Sequence, residues 1–105
     1  MTREEVLTWL DARRPPPPAA LSAHLRSVVA DAAVSLPDHL ARLGRDLLGR
    51  VTAQPGGGRE LALDLLAADA FVTYAFEAQA EADVRGLAAL AARVAAEGAT
   101  AGRPA

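Results

Sequence analysis

Wound at 100° per residue, residues 59–82 are apolar on two sides, and this constrains the chain more than any other feature. Leu61, Leu65, Ala68, Val72, Ala75 and Phe76 share one face, and Leu63, Leu66, Ala70 and Tyr74 share another. Two narrow polar strips separate them: Glu60 with Asp64, and Asp69 with Thr73 and Glu77. A helix with two apolar faces has to be covered twice, so it sits at the centre of a bundle or at an oligomer interface. The composition suits such a bundle. Ala supplies 26 of the 105 residues, Leu 15 and Val 8, and the aromatics are Trp9, Phe71, Tyr74 and Phe76. With β-branched and aromatic residues so scarce, a β-sandwich or barrel is excluded. A disordered chain is excluded by 51% apolar residues at a net charge of -2. The expected fold class is all-α, a small Ala/Leu-rich helical bundle of four to five helices.

Punctuation divides the chain. Thr2 and Glu5 have the spacing of a capping box, so a first helix is predicted over 3–13, with Val6, Leu7 and Leu10 as its stripe and Trp9 beside it. Residues 15–18 are four prolines, which end the helix and form a rigid polyproline linker. Leu21, Leu25, Val28, Val29, Ala32 and Leu36 keep a 3.6-residue period, which predicts a second helix over 19–34. Ser35 or Leu36 then caps a third helix over 37–53, with Pro37 and Asp38 suited to its first turn. Gly44 and Gly49 lie inside it, each costing about 1 kcal/mol against Ala, so the helix bends or another backbone comes close. Gln54, Pro55 and three glycines make a flexible loop over 54–58. A fourth helix over 59–82 follows. Asp83 either caps a fifth over 84–97 or lies within one continuous rod. Gly98 is the natural stop, leaving 99–105 as a disordered tail. The organisation read from this is an N-terminal helix (1–14), the linker, and a bundle over 19–98. Helices two and three should pair as an antiparallel hairpin with helix four lying across them.

The chemistry-bearing residues are few. His24 and His39 have no metal-ligand spacing and read as solvated or capping groups. Asp69, Thr73, Glu77 and Glu81 form a polar column on one helix, whereas a di-metal site in a bundle needs carboxylates from several helices. Asp64 and Asp69 lie in the most apolar segment and call for partners, with Arg42, Arg45 or Arg50 of the third helix as structural ion pairs. Gly56–Gly58 lacks the Lys and the strand of a phosphate loop, and Ser22, Ser27 and Ser35 lack a nucleophile-elbow context. No acid, base and nucleophile come together, so no catalytic residue, metal ligand or cofactor is expected.

Partners follow from charge and from the thin core. All 11 basic residues are Arg, which with the Ala, Gly and Pro load reflects a GC-rich bacterial genome. A net charge of -2 argues against nucleic-acid binding. Thr2, Arg3, Glu4 and Glu5 have no apolar run behind them, and acids interrupt the apolar stretch of helix four. No signal peptide or membrane span is therefore expected, and the cytoplasm is the expected compartment. The expectation is a non-catalytic protein–protein interaction module, self-associating as a homodimer through Trp9, Leu63, Leu66, Ala70, Phe71 and Tyr74. The rival expectation is a small-ligand or metal-binding bundle that uses the helix-four carboxylates.

Overall fold

A computed structural model describes residues 1–54 and 56–101, with backbone alone for 97–101. Five α-helices and one 3-10 turn make up the regular structure among the described residues: α1 (Arg3–Asp11), α2 (Ala19–Val28), α3 (Leu36–Ala53), α4 (Arg59–Asp83), the turn Val84–Gly86, and α5 (Leu87–Ala101). The all-helical bundle expected from the sequence is what the chain adopts. Pro55 and the last residues of the expected tail, 102–105, lie outside the described residues. Residues 99–101 of that tail continue α5, which runs through Gly98.

The helix starts follow the capping chemistry. Thr2 Oγ1 accepts from the Glu5 amide at 3.2 Å while the Glu5 carboxylate accepts from the Thr2 amide at 2.9 Å. These bonds hold the Glu5 carboxyl below its ordinary pKa. Ser35 caps α3 by accepting from the Asp38 amide, with Pro37 in the first turn. Asp83 caps the 3-10 turn, accepting from the Arg85 amide at 3.0 Å, and Gln79 Nε2 donates to the Asp83 carbonyl at 2.8 Å. Asp83 itself is extended, at φ -163° and ψ 105°, so α4 and α5 meet at a corner and do not form one rod.

Two expectations are corrected. The second helix stops at Val28, six residues short of the predicted end, and Val29 is extended at φ -65° and ψ 135°. The carbonyls at its end go elsewhere: Arg3 Nη2 donates to Arg26 O and Arg3 Nε to Val29 O, both at 3.0 Å, and Ser27 Oγ donates to His24 O. Val29 and Ala32, beyond the helix, still pack into or against the core, so their apolar spacing reported burial and not helix. The second correction concerns pairing. α3 pairs with α4 as an antiparallel hairpin across loop 54–58, and α2 packs on α4 in place of α3. Gly56 at φ +101° and Gly58 at φ +141° supply the left-handed backbone that this connection needs.

The α3–α4 seam explains why. A Cβ at Gly44 would stand 2.9 Å from the Ala68 carbonyl oxygen and 2.9 Å from Val72 Cγ2. The helices therefore touch backbone to backbone at Gly44, and Ala41, Ala67, Ala68, Ala75 and Ala78 are buried along the hairpin and its flanks. Phe71, Leu40 and Leu47 fill the space between. Gly49 faces open space.

Candidate functional site

α4 carries most of the candidate residues singled out in the sequence, and its surroundings determine which of them are exposed. Its buried stripe is Ala67, Ala68, Phe71, Ala75 and Ala78. That stripe runs between the two apolar faces read from the sequence, so each face is covered along its inner edge and open along its outer one. Leu65 and Leu66 are the open edges, 50% and 54% exposed. Among the expected interface residues, Phe71 is wholly buried within the chain and is no contact for a partner. Leu63 and Ala70 are half-buried. Trp9 and Tyr74 cover each other, with ring centroids 6.2 Å apart and planes at 82°.

The first arrangement on α4 is a polar clamp that holds α1. Trp9 Nε1 donates to Glu81 Oε1 at 2.9 Å. Arg13 Nη1 donates to Glu81 Oε2 at 2.9 Å and to Glu77 Oε2 at 3.4 Å, and the Arg13 guanidinium lies 3.7 Å from the Trp9 ring centroid. The Arg13 and Trp9 donors hold the Glu81 carboxyl below its usual range. Burial, with Glu77 nearby, raises the Tyr74 phenol. The carboxylate column of the sequence is thus occupied in part by α1. Among the described residues no group of three or more His, Asp and Glu side chains could hold a metal ion. Trp9 and Arg13 stand one turn apart, as do Glu77 and Glu81, and that matched spacing was the signal in the sequence.

The second arrangement is His24 with Asp64, Nε2 to Oδ1 at 2.6 Å, linking α2 to α4. This corrects two expectations. His24 is no free surface histidine, and the partner of Asp64 is not an arginine of α3. Arg45 lies 3.9 Å from Asp46 of its own helix, while Arg42 and Asp69 are both exposed. The pair lines a wide polar cleft with Arg50, Arg59 and Glu60. Ser27, the nearby hydroxyl, already donates to the His24 carbonyl, so the three do not line up as a nucleophile, base and orienting acid.

The third is an apolar groove of about 350 Å³ between α3, α4 and α5. Ala41, Gly44 and Ala68 lie deepest, Leu48, Leu65 and Val94 form the walls, and Arg45 and Asp69 stand at its margin. Leu48 is 44% exposed, so with Leu65 it gives the groove a solvent-facing leucine on each helix of the hairpin. The missing side chain at Gly44 that brings the helices together also deepens the groove. His39, finally, is buried with its Nε2 lacking a hydrogen-bond partner, against the solvated or capping role expected of it. Among the described residues no helix is long and apolar enough to cross a membrane. No protein-family model matches the chain, and comparison with curated proteins and with solved structures finds no match.

Proposed function

We propose that this chain is a non-catalytic helical module that works by binding another protein surface, in the first instance a second copy of itself, through the groove of the α3–α4 hairpin. One observation carries the reading. Leu48 and Leu65 are large apolar side chains left open to solvent on adjacent helices, facing a groove whose walls are otherwise small and apolar. Ordinary folding covers such residues when it can, and the buried stripe of α4 is covered by α2, α3 and α5, with α1 clamped beside it. This moves the expected contact surface from Trp9, Phe71 and Tyr74 to the loop end of the hairpin, with Leu66 beside it. Solution mass by light scattering across a dilution series tests the proposal. A dimer that becomes monomeric on Leu65→Glu, with an unchanged far-UV spectrum, is the expected outcome. A monomer at every concentration removes self-association and leaves a different protein as the partner.

A second reading is favoured by the groove's volume, which lies in the range of small-ligand sites. In it, a small apolar molecule occupies the groove, and a monomer whose groove takes up a hydrophobic dye, with loss of uptake on Leu65→Glu, would favour it.

A further inference from the structure

The walls of the α3–α4 groove carry charge as well as leucine, and the charge keeps step with the helices. α3 and α4 run antiparallel and touch at Gly44, beside Ala68 and Val72. Arg45 follows Gly44 by one residue and Asp69 follows Ala68 by one, so both margin charges stand at the level of that contact. One turn nearer the loop come Leu48 on α3 and Leu65 on α4. Each level therefore offers one residue from each helix: a cation with an anion at the first, a leucine with a leucine at the second. Val94 enters from the end away from the loop, where it also meets Asp38 and Ala41, and the leucine end stays exposed. Arg45 and Asp69 do not satisfy each other within the chain. Arg45 lies 3.9 Å from Asp46 of its own helix, and no ion pair joins it to Asp69. Asp69 is exposed, and its carboxylate has no hydrogen bond or ion pair among the described residues. A guanidinium has five N–H donors, so Arg45 can serve its own chain and a further carboxylate together.

We infer that a second copy docks as an isologous dimer in which α3 of each copy lies over α4 of the other: Leu48 packs on Leu65, and Arg45 pairs with Asp69, twice across the interface. This rests on the reading of the groove as a self-association surface and adds the register and the residues that set it. A two-fold axis running along the groove, parallel to the helices, produces the arrangement. It lays α3 over α4 and keeps each level opposite itself. A two-fold axis across the helices, set at the charged level, would bring Arg45 over Arg45 and Asp69 over Asp69, and like charges across an interface cost affinity. The occupant is a second copy because the groove is complementary to itself, apolar on apolar at one level and opposite in charge at the other. A partner of one charge sign would set one of the two margin charges against its like. The leucines supply the buried apolar area, and the charges fix orientation.

Sedimentation of the purified full chain and its charge variants, alone and mixed, reads this out. Asp69→Arg sets arginine against Arg45 at both contacts, and Arg45→Asp sets aspartate against Asp69. Either variant alone should raise the dimer Kd by about tenfold or more. Mixed in equal amounts, the two variants should dimerise with each other about as tightly as the native chain, because every contact again joins one Arg to one Asp. The double variant should recover a homodimer for the same reason. Asp69 is exposed, so Asp69→Arg leaves the fold intact. Should Arg45→Asp fail to fold, Arg45→Gln added to Asp69→Arg removes the like-charge contact and should restore part of the lost affinity. A native chain that is monomeric at every concentration removes the self-association reading and this inference with it. A dimer that Leu65→Glu splits, but that the charge variants leave unchanged, keeps the groove as the contact and overturns the pairing alone. Variants weakened singly, with no recovery on mixing or in the double, overturn it too, since the charges then act within each chain.

Discussion

The α3–α4 hairpin and the N-terminal helix are held to the same bundle by opposite means. Along the hairpin the contact is made by what is missing: Gly44 and a row of alanines let two backbones touch, and few polar groups take part. α1 makes no such close approach. It is anchored by large side chains reaching across, with Val6, Leu7 and Leu10 inserted into the core and Trp9, Arg13 and Arg3 bonded to partners on α4 and the segment after α2. A backbone seam has no slack, since nothing in it can change rotamer. A side-chain anchor can be released one bond at a time. The hairpin should therefore behave as the rigid body of the molecule and α1 as its detachable part.

The most damaging single methyl group should be the one added to the seam. In Gly44→Ala the new Cβ meets a backbone carbonyl and a β-branched side chain at 2.9 Å, and only one of those can yield. The gain in helix propensity, about 1 kcal/mol, is outweighed by overpacking of about 1–3 kcal/mol plus the displacement of α4. Chemical denaturation should show a net loss of about 1–2 kcal/mol, and the loss should appear in the global transition. A variant that is neutral or stabilised would mean the two backbones can separate cheaply, and the contrast with α1 would weaken.

The anchor should respond more mildly and locally. Arg13→Ala removes the guanidinium from the Trp9 face and from both glutamates, at a cost of about 1 kcal/mol. Trp9 is the only tryptophan, so its emission reports this region alone, and it should shift to the red before the helices as a whole unfold. The Glu81 carboxyl should move back up toward its ordinary value, since Arg13 is the largest cause of its depression. Its contribution to holding α1 is present above the ordinary carboxylate pKa and fades as pH falls through the lower folded one. An unchanged Glu81 titration would leave the Trp9 bond as the whole of the clamp.

The same contrast marks what the sequence could reveal. The caps at Thr2 and Ser35 and the break at 54–58 were legible because they depend on residues a few positions apart. The seam was only half legible. Gly44 signalled a close backbone, but hydrophobic periodicity weights Leu65, Leu66 and Tyr74 above Ala67, Ala68 and Ala75. It therefore took in Ala68 and Ala75 at the edge of the first face but missed Ala67, Phe71 and Ala78, which lie between the two faces and complete the buried stripe. Where helices approach closely, small residues line the contact and large ones are pushed to its margins. The early end of α2 was hidden for another reason: its last carbonyls are taken by Arg3, over twenty positions upstream. His24 with Asp64, 40 positions apart, is a partnership of the same kind, readable only once α2 is known to lie on α4.

The smallest predicted effect has the opposite sign and tests whether the seam ends where the groove opens. Gly49 lies five residues beyond Gly44 on the same helix, exposed, with open space where its Cβ would be. Its cost to the helix is not repaid by any close approach. Gly49→Ala should stabilise the chain by about 0.5–1 kcal/mol, by restricting the unfolded chain and strengthening α3. Two glycines in one helix would then answer the same substitution with opposite signs, because Gly44 is buried against α4 and Gly49 is exposed. If Gly49→Ala instead destabilises the isolated chain, some element must approach α3 near its loop end. If it is stabilising when dilute but weakens a concentration-dependent dimer, that element is the second copy, seated beside Leu48 on the same end of the helix.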